Sequence, residues 1–397
     1  MFCLYVKIIY NYMNIIYAQE AIPNQINKSI FLAGPSLRPG QEGISWRIKA
    51  LEILKQLNYD GIVFVPEFRD GIFDDNFNWN TQVQWESRCL KIADHILFNI
   101  NRSIDDGLLG LTTNDEWGYW KDSGKCVLVT PLDADKTEYQ QHFADELKVP
   151  RFIDLFNGFK YILDEQVDCP RLDGERYIPQ EIFLLEQFQD WYKNMKTQGN
   201  WISDAKVLNT YRIPSNNKIF AYSLWVNIYI KHENRYKNNE FIFSRPDISS
   251  CVLYYPHENY LDTEIVLVSE FRSPVNNEKG MVYELPGGSS VKKGVDPRER
   301  VIEELEEETG FEPEIDRINF EGERQIYSTL ITNKSYLYSY ELTQLELNKI
   351  KSNLDKTFGN IQDTEITYLH VFTVGEILEK SYIDWSNLGQ ILKVINK

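Results

Sequence analysis

Few cysteines and few positive charges for the length of the chain narrow what the protein can be. Five cysteines, Cys3, Cys89, Cys126, Cys169 and Cys251, are scattered over 397 residues with no paired spacing, which argues against a zinc site and a disulfide framework. A reducing, cytoplasmic setting fits that pattern. Lysine and arginine number 42 against 59 acidic residues, a net charge of -17, so nonspecific binding to nucleic acid or to an anionic membrane is disfavoured. A small phosphorylated substrate remains open, because a bound cation reverses the local sign. The first twenty residues faintly resemble a signal peptide, but no basic segment precedes the apolar run, and Asn11 and Asn14 interrupt it. No membrane span follows, and there is no internal repeat, low-complexity tract or Gly/Ser-rich linker.

With 43% apolar and 25% charged residues the sequence reads as a soluble globular chain, long enough for two domains. Strand-like runs at 14–19, 29–33, 61–65, 95–100 and 125–130 alternate with helical patterns at 46–57 and 83–93, which predicts a flavodoxin-like parallel sheet covered on both faces. Ligands of such sheets sit at the carboxyl ends of the strands. Because the strand at 14–19 begins this domain, Met13 is expected to be the functional start, with residues 1–12 an upstream extension. Residues 164–215 read as a packed helical connector around one helix at 179–196. From 216 to 397 the texture is β-rich, with strands at 219–230, 240–242, 250–255, 264–271, 281–285, 325–328 and 335–341. An acidic helix interrupts them and two helices, at 374–380 and 385–395, close the chain.

The segment ELPGGSSVKKGVDPRERVIEELEEETGF, residues 284–311, carries the strongest signal. Asp296 suits an N-cap, Pro297 the first helical position, Glu299 a capping box and Gly310 a left-handed stop, which predicts a helix from Pro297 to Thr309. Val301, Ile302 and Leu305 should face the core, while Glu304, Glu307 and Glu308 gather on a neighbouring face. Crowded carboxylates suit a hard cation, and a solvated acidic helix is the plain alternative. The segment resembles the Nudix box, with Gly288 opening the loop and matches at Glu304, Leu305, Glu307, Glu308, Gly310 and Phe311. That resemblance implies an α/β/α sandwich over 216–397 that hydrolyses a nucleoside diphosphate derivative, with Mg²⁺ (or Mn²⁺) on Glu304, Glu307 and Glu308 and catalytic roles for Glu307 and Glu308. Two positions depart from the pattern, Val295 for the first Glu and Glu303 for the Arg, and the loop carries one extra residue. Upstream, IVLVSEFRSPVNNEKGMVYELPGG resembles the ADP-ribose pyrophosphatase branch. That likeness implies substrate contacts at Arg272 and Gly288, a ligand role for Glu284, a late base at Glu365, and a homodimer.

Two N-terminal stretches complete the reading: SIFLAGPSLRPG at 29–40, and the run from VQWESRCLKIADHILFNINR to LTTNDEWGYWKDSGKCVLVTP between 83 and 131. The turn at Gly34 brings backbone amides to a sugar or phosphate, and Glu116 follows the Leu111-Thr112-Thr113 turn where a helix starts. These stretches resemble the nucleoside 2-deoxyribosyltransferase-like family over roughly 14–140, within a first domain expected at 13–163. The resemblance implies Glu116, followed by Gly118, as nucleophile on the anomeric carbon, and Asp94 as the base-contacting carboxylate. Phe31 stands where some members place a Tyr. Glu86 is an alternative crevice carboxylate, which pairing with Arg88 would explain equally. The whole chain is therefore expected to be a bifunctional enzyme acting on small nucleotides; a nucleotide sensor with a binding-only C-terminal domain is the alternative.

Overall fold

Runs of β-branched and aromatic residues between turn residues make the strands, and the side chains of Ser45, Asn78, Asp154, Asp296, Thr343 and Asp384 cap the starts of helices. The computed structural model describes residues 13–37, 43–69, 78–289, 294–359, 366–380 and 383–396, so residues 1–12 and Glu365 lie outside the described residues. The first unit comprises β1 (Asn14–Tyr17), β2 (Gln25–Ile26), β3 (Ser29–Ala33), α1 (Trp46–Gln56), β4 (Ile62–Val65), α2 (Trp79–Ile92), β5 (His95–Asn99), α3 (Leu111–Trp120), β6 (Cys126–Val129), α4 (Glu138–Glu146), β7 (Arg151–Phe152) and α5 (Leu155–Glu165). Its six-stranded sheet runs β1-β4-β3-β5-β6-β7, with every pairing parallel. Counted from β3, the order is that of a doubly wound sheet, with β1 added at one edge.

Helices cover both faces of that sheet. Trp85 and Cys89 of α2 and Trp117 of α3 pack on Phe31, Ile96 and Phe98. Ala50 and Leu54 of α1 and Phe159 and Ile162 of α5 pack on Ile30, Leu32 and Val127 on the other side. Helix α2 starts earlier than its apolar pattern suggests, because the Asn78 side chain accepts from Asn80 N at 2.9 Å and caps it.

The second unit holds β8 (Arg171–Leu172), α6 (Gln180–Phe183), α7 (Glu186–Thr197), β9 (Trp201–Arg212), β10 (Ile219–Ile230) and β11 (Arg235–Ser244). The single helix expected at 179–196 is broken at Leu184 and Leu185. On an unbroken helix Phe183 and Phe188 would point about 140° apart; the break lets both rings enter one core, with centroids 5.1 Å apart. Strands β9, β10 and β11 form an antiparallel sheet over that core. Residue 216, where sequence patterning puts the start of the last domain, falls in the turn joining β9 to β10, and the region read as a helical connector contributes a twelve-residue strand.

The third unit runs β12 (Ile248–Tyr255), β13 (Glu264–Phe271), β14 (Met281–Glu284), β15 (Gly287–Ser289), α8 (Pro297–Thr309), β16 (Asn319–Gln325), β17 (Lys334–Glu341), α9 (Gln344–Lys351), β18 (Thr357–Phe358), β19 (Thr367–Thr373), α10 (Val374–Lys380) and α11 (Trp385–Ile395). The eight-stranded sheet has the order β16-β17-β12-β13-β19-β18, with β14 on β13 and β15 on β12. Val301 and Leu305 of α8 and Leu347 and Ile350 of α9 cover one face. Val374 and Ile377 of α10 and Ile391 and Val394 of α11 cover the other. Helix α8 has the expected bounds, but Asp296 accepts from Arg298 N at 2.8 Å rather than closing a box with Glu299. The chain is thus a mixed α/β protein, and no helix among the described residues is long and apolar enough to cross a membrane.

Candidate functional site

In a doubly wound sheet the crevice opens where the strand order reverses, which here is between the carboxyl ends of β3 and β5. Gly34 ends β3 at that point. A Cβ on it would come within 2.4 Å of the Asn99 carbonyl oxygen, so only glycine lets the two strand ends approach this closely. Helix α1 aims Arg47 into the same place. Its buried guanidinium donates to Leu32 O at 3.0 Å, to Gly34 O at 2.8 Å and to Ser36 Oγ at 2.9 Å, and pairs with Glu67 at 2.6 Å. Two carbonyl oxygens and a hydroxyl around the turn are fixed by one cation.

Glu86 of α2 and Glu116 of α3 are half-buried carboxylates within electrostatic reach of each other and of Arg47. Burial is the main cause that pushes Glu116 up to about 8, and the Glu86 charge adds to it, while Arg47 works in the opposite direction. Glu86 is also raised by burial, offset by the Gln82 amide, which donates to it at 2.8 Å, and by Arg47. Two carboxylates in one partly dry site hold a proton more readily than either would alone. Such a pair offers one group to attack or take a proton and another to give one. The loop before α3 is held by Arg102, which donates to Leu109 O at 2.8 Å and to the Asn114 side chain at 2.5 Å. Trp117 packs edge-on against Phe98, with centroids 5.3 Å apart, so that Glu116 faces away from the core.

Asp94, expected in the crevice, is not with Glu116. It precedes β5 and so lies at the amino edge of the sheet, fully buried, where it pairs with Arg171 and accepts from Ser29 Oγ at 2.9 Å. A carboxylate that opens a parallel strand sits at the end opposite the crevice; Glu86, eight residues earlier and one helix away, is the one that reaches it. Phe31 is completely buried in the sheet core. Gly118 has open space around its Cα, so packing does not demand glycine there. Arg47 was missed by sequence patterning, although one sign is present: it falls on the α1 face that carries Ala50 and Leu54, where a cation needs a reason.

In the C-terminal sandwich β15 and α8 meet as the acidic helix pattern requires. The Glu308 carboxylate accepts from Gly287 N at 2.8 Å, and a Cβ on Gly288 would come within 2.3 Å of the Glu304 carboxylate. Glu307 is exposed on the next face. Among the described residues no group of three His, Cys, Asp or Glu side chains converges as a metal cluster. Arg272, at the end of β13, pairs with Glu270 at 2.8 Å and lies 3.8 Å from Glu284, whose carboxyl is raised by burial and lowered by Arg272. Arg245, which sequence patterning did not pick out, donates to Ser289 Oγ at 2.9 Å beside them. The departures Val295 and Glu303 lie at the half-buried foot and on the exposed side of α8.

This geometry defines the first unit as a parallel-sheet domain with a carboxylate pair at its switch point. A family model described as "Nucleoside 2-deoxyribosyltransferase like" matches residues 27–134, which include Gly34, Glu86 and Glu116. Over that stretch the chain is similar to the nucleoside 2-deoxyribosyltransferase-like family. A comparison with curated proteins gave no match.

Proposed function

We propose that the first unit cleaves or transfers an N-glycosidic bond, with Glu116 as nucleophile and Glu86 as its proton-donating partner. The electrostatic coupling of these two carboxylates beside the Gly34 turn carries the reading. The one proton of the pair passes from Glu116 to Glu86; the freed Glu116 carboxylate attacks the anomeric carbon, the carbon–nitrogen bond breaks, its electron pair goes to the base, and the base leaves with that proton. Water then attacks the glycosyl ester, giving a sugar and restoring the carboxylate, or a second base does so and the outcome is transfer. The pair must hold one proton for the first step, so base release falls on both sides of the pH where it does.

A second reading concerns the C-terminal sandwich, which we read as a Nudix-type diphosphatase, favoured by the contacts of Gly287 and Gly288 with Glu308 and Glu304. Hard carboxylate oxygens on α8, with a glycine leaving room beside them, fit Mg²⁺ in kind, and Glu304, Glu307 and Glu308 would hold it. Bound there, the ion would neutralise a diphosphate and acidify a water. Arg272 would bind the phosphate side of a nucleoside diphosphate derivative such as an ADP-ribose-like compound, and Gly288 would let the substrate approach the backbone. One unit would then consume what the other makes. The test is a panel of nucleosides, nucleoside monophosphates and dinucleotides with and without Mg²⁺, followed for base and phosphate release. Glu116→Ala should cut base release by about 10²–10⁴-fold and leave diphosphate cleavage intact. Base release that survives Glu116→Ala and vanishes in Glu86→Ala would reverse the two roles; no base release from any substrate would sink the first reading.

A further inference from the structure

A groove of about 810 Å³ separates the first unit from the three-stranded sheet, away from both carboxylate clusters. One wall is the outward face of α2, with Arg88 and Lys91, continued by Trp120 at the end of α3; the other is β9, with Lys206, and Trp225 of β10. Lys125 lies at its floor, where it donates to Leu90 O at 2.6 Å and to Lys91 O and Ala93 O at 3.0 Å each, and sits 4.6 Å from the Trp120 ring centre. That ammonium is committed to the last carbonyls of α2. Arg88, Lys91 and Lys206 are exposed and make no ion pair among the described residues.

Acidic residues outnumber basic ones 59 to 42 in the chain, yet here three exposed cations, Arg88, Lys91 and Lys206, meet only two carboxylates, Asp122 and Asp204. Like charges brought together from two units repel, so their placement in a chain of opposite overall sign is complementary to an anion. Indole walls are complementary to a planar ring. The volume lies in the range of small-molecule sites. We propose that this groove binds a nucleoside phosphate, with the phosphate between Arg88, Lys91 and Lys206 and the base against Trp120 and Trp225. Because α2 and α3 also carry Glu86 and Glu116, an occupant here leans on the two helices that set the spacing of the carboxylate pair.

Calorimetry of the full chain with AMP tests this, with adenosine and inorganic phosphate as separate titrants and quenching of tryptophan fluorescence as a second signal. The Glu116→Ala and Glu308→Gln variants are run alongside, so that turnover or binding at the two proposed catalytic sites is not read as groove binding. The expected result is AMP binding tighter than either fragment, weakened at least tenfold by Arg88→Glu with Lys206→Glu and changed less than twofold by Glu116→Ala or Glu308→Gln. The milder pair Arg88→Gln with Lys206→Gln should weaken it as well, and it keeps the test sound if charge reversal disturbs folding. AMP binding that survives both groove pairs, no binding by the wild type at millimolar AMP, or phosphate binding as tight as AMP would each overturn the assignment.

Discussion

Glu116 shows what a single position contributes when its surroundings are partly dry. Its carboxyl is pushed from 4.5 up to about 8, so the folded protein keeps a proton there that the unfolded chain releases. The stability associated with that proton is present in full below the unfolded value and is lost as pH rises through about 8. The melting temperature of the wild type is therefore expected to fall between about pH 5 and pH 8.5. Glu116→Gln, neutral at every pH and nearly the same shape, should flatten that fall and melt above the wild type at the alkaline end. Differential scanning fluorimetry across a pH series reads both; equal slopes in the two proteins would mean the carboxyl ionises without cost. Much of this site was legible in sequence, because Gly34 and Glu116 sit in local turn and Glu-x-Gly patterns. Arg47 and Glu67 were not, since they meet across twenty residues and only folding joins them. Asp94 was misplaced for a directional reason: pattern shows that it opens a strand, and strand direction puts that end opposite the ligand.

Among the elements, those with their own caps were the easiest to read. Helix α8 has Asp296 before it and a left-handed Gly310 after it, and both are in place; α10 and α11 likewise fall where their apolar spacing puts them. Edge strands were harder. Strand β16, NFEGERQ, and the polar half of β11 bury little, so they carry no alternation, and β16 was expected several residues too late. The α6–α7 break is a tertiary effect, set by where Phe183 and Phe188 must go. At α8 the question is whether crowded carboxylates serve a cation. If they do, Mg²⁺ binds the folded form and stabilises it in proportion to the logarithm of its excess over Kd, by about 2.7 kcal/mol at a hundredfold excess, and the melting temperature rises with it. Glu308→Gln keeps an oxygen to accept from Gly287 N while removing one charge, so it should leave the metal-free melting temperature unchanged or slightly higher and abolish the Mg²⁺ response. A wild type indifferent to Mg²⁺ in thermal melting and in diphosphate hydrolysis would reduce α8 to a solvated acidic helix.

Across the whole molecule the units are tied by polar groups that no local pattern foretells. Strand β8 of the second unit pairs with β2 of the first, Arg176 donates to Pro23 O at 2.6 Å, and Gln166 donates to Ser29 O at 2.9 Å. At the centre of this seam Arg171, fully buried, meets the equally buried Asp94 and also donates to Ile178 O at 3.0 Å. Removing one member of such a pair leaves an uncompensated buried charge and costs about 3–5 kcal/mol, whereas removing both charges together costs far less than the sum. Asp94→Asn keeps the Ser29 hydrogen bond and strips only the charge; Arg171→Met keeps most of the stem and strips the cation. Each alone should lower the denaturation midpoint strongly, and the double variant should recover much of the loss, because neither charge is then left without its partner. Urea denaturation of the four proteins, followed by near-ultraviolet circular dichroism, gives the coupling directly. Additive losses would mean that the two charges do not sense each other and that the seam is held by β2, β8 and the carbonyl contacts alone. A large coupling, with base release by the first unit retained in the double variant, would put Asp94 in the framework joining the units and leave the reaction to Glu86 and Glu116.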